Sequence, residues 1–166
     1  MDKKAAVVAN TLYANDVLVA KDIKFTLPEV ACQTADVQAM GTLSLPLIGL
    51  LENMELAITQ VGLDVNTSAI NKLEKQTFEF RWVQEKVDSE GNVKAEGCKA
   101  FIRTVPGTGI PGLAVENGSV SELEGTYNVT RYQLFVDGEE VLLVDRIAGI
   151  LKVNGTDYYK DVSGLL

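Results

Sequence analysis

Turn signals set between runs of β-branched and aromatic residues constrain this chain more than any other feature. Asp137-Gly138 separates residues 130–136 from residues 140–145, two stretches rich in Val, Leu, Tyr and Phe. Glycine accepts the positive φ that a tight primed turn requires, so the two stretches are predicted to pair antiparallel. Asn154-Gly155 stands in the same way between residues 149–153 and 156–160, and the carboxyl-terminal third therefore reads as a meander. A longer polar stretch, Asp88-Ser89-Glu90-Gly91-Asn92, lies between residues 78–83 and 97–104 and predicts a third hairpin. Within it Phe78, Phe80 and Trp82 fall on one face by the two-residue period of a strand. Ala14-Asn15-Asp16 predicts a fourth reversal, between residues 7–13 and 17–25, although Asp16 stands where a tight turn favours glycine.

One short helix is expected over residues 67–75. Asn66, Thr67 or Ser68 can cap it, Ile70 and Leu73 fall on one side, and Lys72 and Lys75 suit its negative carboxyl end. Many strands, one helix and no repeat period predict a mainly β fold, an antiparallel β-sandwich or barrel with one short α-helix. At 166 residues the chain has room for one well-buried core, so residues 1–166 are expected to form a single domain.

Charge narrows the function. Twenty-three acidic against fifteen basic residues leave a formal charge of −8, which on average repels nucleic-acid phosphates and anionic lipid. The apolar run after Met1-Asp2-Lys3-Lys4 spans only residues 5–9 before Asn10, too short for a secretory signal. Residues 43–58 are greasy but carry Pro46, Gly49, Glu52, Asn53 and Glu55, and a bilayer span needs about 20 mostly apolar residues. Neither export nor a membrane anchor is expected. Cys32 and Cys98 are expected to remain free thiols that pack as small hydrophobes.

Catalytic chemistry finds little to work with. The chain has no histidine, which removes the usual general base and the commonest metal ligand. Glu52, Glu55, Glu79, Glu122 and Glu124 are expected at solvated strand or loop positions. Gly107-Thr108-Gly109-Ile110-Pro111-Gly112 matches the dinucleotide pattern G-x-G-x-x-G, yet Pro106 and Pro111 bracket it and no helical pattern follows. It is expected to be a surface loop. Asn128-Val129-Thr130 is a glycosylation sequon inside a predicted strand and carries no expected role. No catalytic residue, metal site or cofactor is expected, and the chain reads as something other than an enzyme.

The order and spacing of several segments resemble the major tail tube proteins of contractile phage tails and of related phage-tail-like bacteriocins. At the end of the chain these are Leu134-Phe135-Val136-Asp137-Gly138-Glu139-Glu140, then Val144-Asp145, then Lys152-Val153-Asn154-Gly155-Thr156-Asp157. Asn10, Leu12 and Asn15, followed by Phe25-Thr26-Leu27-Pro28-Glu29-Val30, are similar to that family's first strands. Met54-Glu55-Leu56 with Gly62, and the helix at residues 67–75, fall where its strand and helix would fall. Asp16 and residues 106–118 depart from the pattern. The resemblance implies a self-assembling structural subunit that forms hexameric rings, stacked into the tube that a contracting sheath drives through a target envelope. It implies as partners further copies of the chain, a tail sheath protein, a baseplate or tail initiator and a tape measure protein. DNA would pass through the lumen without specific binding if the particle is a phage. The location implied is a virion tail or bacteriocin particle, assembled in the bacterial host cytoplasm. The ring protein of type VI secretion, a monomeric β-barrel that binds a small ligand, and a carboxylate-dependent hydrolase are the competing readings.

Two sets of residues are nominated for the tube. Leu43, Leu45, Pro46, Leu47, Ile48, Leu50, Leu51 and Met54 are too apolar to leave in water, while Pro46 and Gly49 argue against a helix or central strand. They are expected to be buried without regular structure, either as an internal segment of the core or, the reading carried forward, as a loop against a neighbouring subunit or the adjacent ring. Glu29, Asp36 and Glu55 are expected on long strands facing a predominantly negative lumen, along which DNA slides without sticking.

Overall fold

Asp137 and Gly138 take φ of 52° and 80° and reverse the chain between the two strands that the sequence predicts on either side. In the computed structural model, which describes residues 2–166, antiparallel pairing of this kind builds nearly everything. The strands are β1 (Lys3–Ala14), β2 (Val17–Lys21), β3 (Lys24–Thr26), β4 (Cys32–Gln38), β5 (Thr42–Leu51), β6 (Glu55–Val61), β7 (Thr77–Val87), β8 (Val93–Thr104), β9 (Glu122–Val136), β10 (Glu139–Asp145), β11 (Ile150–Val153) and β12 (Thr156–Asp157). Two one-turn helices, α1 (Val65–Ser68) and α2 (Lys160–Ser163), follow β6 and β12. The fold is thus mainly β, with open antiparallel sheets and not a closed barrel.

The main sheet runs β12-β11-β10-β9-β8-β7-β1-β2, and a short flap of β3 and β6 joins it through β9. A bulge lets one strand serve both. Residues 122–128 of β9 pair with β6, while residues 129–136 pair with β8. At the changeover Arg103 faces Arg131 but Thr104 faces Val129, leaving Thr130 as the extra residue. An extra residue bends a strand and inverts its inward parity. Leu123, Tyr127 and Val129 point inward before it, and Tyr132 after it.

The core lies between flap and main sheet. Leu56 and Ile58 of β6 oppose Leu12 of β1, Phe78 and Phe80 of β7, and Ala100 and Ile102 of β8, all buried. Aromatic rings hold the layers together: Phe25 of β3 lies 4.3 Å from Phe80 and 5.8 Å from Trp82, and Phe78 lies 5.1 Å from Tyr127. Burial pushes the Tyr127 hydroxyl up to about 12, and that hydroxyl donates to the Ile70 carbonyl at 3.2 Å.

The first turn is tight without glycine. Asn15 and Asp16 both take positive φ, 51° and 67°, which Asn and Asp tolerate better than other non-glycine residues. Asn15 is locked to β7, its N–H donating to the Thr77 carbonyl at 2.9 Å and its Oδ1 accepting from the Thr77 N–H at 3.2 Å. The expected helix over residues 67–75 is replaced by α1, a single turn that starts earlier. Beyond it the Ile70 carbonyl accepts from Gln76 Nε2 at 2.8 Å and from Tyr127, side-chain bonds that take the place of a continued helix.

Candidate assembly surfaces

Among the described residues β4 and β5 pair with each other and with no other strand. They form a two-stranded arm whose root is the pair Cys32 and Leu51. The register sets Ala35 opposite Leu45 and Val37 opposite Leu43; cross-strand partners share a face, so one side of the outer arm is apolar at these four positions. The other carries Asp36 opposite Ser44 and Thr34 opposite Pro46. Asp36 is the only charged residue from Cys32 to Leu51. Leu43, Leu45 and Leu50 are 47%, 41% and 54% exposed.

This placement corrects the expected irregular loop. Residues 42–51 are strand in spite of Pro46, with a register irregularity between Pro46 and Leu51; both outer edges of the arm are open, the setting in which a strand tolerates proline. Leu43, Leu45, Pro46, Ile48 and Leu50 are exposed and Leu47 is half-buried. Leu51 and Met54 instead lie in the subunit's own core, where the Met54 carbonyl accepts from the Val129 N–H at 2.9 Å. The acidic trio is exposed but does not lie on the long strands β1, β7, β8 and β9. Glu29 sits in the irregular segment after β3, Asp36 on the arm and Glu55 at the start of β6.

A second surface is a blade made by the ends of β1, β7 and β8. β2 covers β1 only from Thr11 onward, and β9 covers β8 only from Cys98 onward. Residues 3–9 and 93–96 therefore leave two open edges on opposite sides of β7. Sequence reasoning missed this feature. Its signal was the run Ala5-Ala6-Val7-Val8-Ala9, weighed as a possible signal peptide and, over residues 7–9, as the start of a strand, without the open edge.

Glu96 braces the blade. Buried on β8, it accepts a hydrogen bond from the Lys4 ammonium, with Lys86 Nζ 3.7 Å away. The Lys4 bond holds the Glu96 carboxyl below its ordinary 4.5. A depressed folded value contributes stability that is present above 4.5 and lost as pH falls through the folded value. Glu96→Gln should therefore flatten the dependence of the thermal midpoint on pH below about 5. Parallel melting curves of the two proteins from pH 7 to pH 3, with the same acid slope in both, would show that Glu96 braces nothing.

The outward face of the main sheet holds a cavity of about 730 Å³ lined by Thr11, Arg81, Val83, Lys99, Phe101 and Phe135 among others. Phe101 and Phe135 meet nearly perpendicular at 5.8 Å. Arg81 is engaged already, bonded to Glu79 at 2.7 Å and lying 4.7 Å over the Tyr13 ring. Cys98 borders the cavity, and burial pushes its thiol up, away from the reactive thiolate. Gly107 to Gly112 lie in the irregular stretch between β8 and β9 and open no helix. Among the described residues no group of three His, Cys, Asp or Glu is placed to hold a metal ion. The arrangement offers surfaces for association.

No curated protein matches the chain. A family model described as phage tail tube protein FII matches residues 5–165, a span that takes in the arm, nearly all of the blade and the carboxyl-terminal meander. The chain therefore belongs to the phage tail tube protein FII family and is a structural protein of the virion tail.

Proposed function

We propose that six copies of this chain, each acting as one domain, close into a ring, and that the rings stack into the inner tube of a contractile tail or phage-tail-like particle. Sheath contraction drives that tube through the target envelope, and DNA follows through the lumen where the particle is a phage. The sheath protein, the baseplate or tail initiator and the tape measure protein are its partners, and assembly takes place in the bacterial host cytoplasm.

The observation that carries ring closure is the blade. β7 runs antiparallel to both β1 and β8, so these two run in the same direction. Rotation about a common axis then brings the β8 edge of one copy beside the β1 edge of the next. Such a contact is heterologous, and it closes when the rotation divides a full turn. Closure also removes open edges that would otherwise pair indiscriminately. The junction formed in this way is parallel.

The exposed arm residues Leu43, Leu45, Pro46, Ile48 and Leu50, with half-buried Leu47, form the contact to a neighbouring subunit or the adjacent ring. Leu51 and Met54, filled by the subunit's own core, drop out of it. Glu29, Asp36 and Glu55, with the net charge of −8, support a negative lumen that repels phosphate. Electron micrographs and sedimentation of the purified protein, at several salt concentrations and with tail initiator added, are expected to show rings or tubes. Uniform monomers under all of these conditions would overturn the assembly reading, and a basic, phosphate-binding lumen in a reconstructed tube would overturn the charge assignment.

A further inference from the structure

We infer that Tyr159 and Arg146 act as a clamp that fixes the angle at which the arm leaves the subunit, and that tube assembly depends on this angle. The inference rests on the reading of the arm as an assembly surface.

The arm has no strand partner outside itself, so its pose must be set at its root. There the Tyr159 ring, between β12 and α2, is wedged against two glycine backbones. A Cβ on Gly49 of β5 would stand 2.7 Å from Tyr159 Cδ2, and one on Gly149 would stand 3.2 Å from Cε1. These atoms lie on opposite edges of the ring. One edge meets the arm and the other meets the turn between β10 and β11. Both glycines take positive φ, 91° and 72°, so each supplies backbone that is bent and bare of a side chain.

Arg146, on the same turn, donates from Nη2 to the Leu51 carbonyl at 3.0 Å and from Nη1 to the Glu52 carbonyl at 3.2 Å. The turn is itself stiffened by Asp145, whose carboxylate accepts from the Ile147 and Ala148 N–H groups, each at 3.0 Å. The Glu52 N–H donates to the Ala31 carbonyl at 2.8 Å and closes the neck.

Leverage makes the root decisive. Strand rises about 3.3 Å per residue, so Thr42 stands roughly 23 Å beyond Gly49. A rotation of about 15° at the root would then move the tip by roughly 6 Å, more than the 4–4.5 Å reach of an apolar contact. An arm held only at its neck would search many poses and present the correct one in few of them.

The test compares Tyr159→Phe, Tyr159→Ala, Gly49→Ala and the last two combined, with Leu45→Asp as the control for the arm surface itself. Amide exchange across residues 42–50 of the unassembled subunit and the concentration at which tubes appear are both measured. The Tyr159 hydroxyl takes part in no hydrogen bond among the described residues, so Tyr159→Phe should match the wild type. Tyr159→Ala should keep the far-UV dichroism, speed arm exchange about tenfold and raise the assembly concentration by a similar factor. Gly49→Ala should do the same, and should cost less when added to Tyr159→Ala, which vacates the slot, than when added to the wild type. If the alanine variant fails to fold, Tyr159→Leu, which keeps the apolar bulk but not the breadth of the ring, replaces it in the same comparison. Normal exchange and normal tubes in the Tyr159 variant, beside failed assembly in Leu45→Asp, overturn the clamp and leave the arm reading standing. Normal tubes in Leu45→Asp overturn the arm reading, and the clamp with it.

Discussion

Truncating Phe80 to alanine is expected to cost the subunit about 3–5 kcal/mol of folding stability, the range for losing a buried aromatic side chain from a core. Phe80 has no exposed surface. It stands on β7 between Leu12 of β1 and Ala100 of β8, its register partners on either side. Across the layers its ring meets Phe25 at 4.3 Å, and along β7 it meets Phe78 at 6.2 Å. One side chain therefore joins the main sheet to the flap, and its neighbours sit on paired strands that cannot easily close the void. Domains of this kind are stable by only about 5–15 kcal/mol in all, so a loss of this size leaves a substantial unfolded fraction on mild heating. Urea unfolding of the unassembled subunit measures it. A midpoint shift equivalent to less than about 1 kcal/mol would mean that flap and sheet are not locked through this ring.

Leu45→Asp is expected to act in the opposite place, abolishing tubes while leaving the subunit folded. Leu45 lies on the apolar face of the arm, 41% exposed, and its cross-strand partner is Ala35, also on the arm. Folding therefore loses little. In the tube that we propose, covering such a leucine is worth about 1.5–3 kcal/mol, and burying an unpaired carboxylate in its place costs several more. Symmetry repeats the loss in every subunit of every ring. Far-UV dichroism and thermal midpoint should match the wild type while electron micrographs show no tubes. Tubes at normal yield would remove this face of the arm from the interface, and an unfolded subunit would place Leu45 in the subunit's own core.

Family membership gives these two substitutions their contrast. In the tube that we propose, the chain has to be stable as a subunit and sticky as a copy, and the apolar residues divide between the two tasks. Phe78, Phe80, Leu56 and Ile58 serve the first, inside. Leu43, Leu45, Ile48 and Leu50 stand exposed on the arm, and on our reading they serve the second.

What the sequence by itself determined is the part of the fold governed by neighbouring residues. Asp137-Gly138 and Asn154-Gly155 turn where they were expected to turn, since positive φ is a property of the dipeptide and the strands beside it. Alternation placed Phe78 and Phe80 on the buried face of β7 for the same reason. Only the tertiary structure decided features that depend on what a segment meets. Ile70 looked like the inner face of a helix until the Gln76 amide, six residues on, and the Tyr127 hydroxyl, distant in the chain, took its carbonyl. Residues 43–54 read as one apolar stretch, yet the chain bends at Gly49, where φ is 91°, leaving Leu43 and Leu45 out on the arm and carrying Leu51 and Met54 into the core. The apolar run at residues 5–9 marks a strand of the blade but not that its edge is open. An edge is open because β2 and β9 stop short of it, and how far a partner strand reaches is settled by long-range register, which no run of adjacent residues encodes.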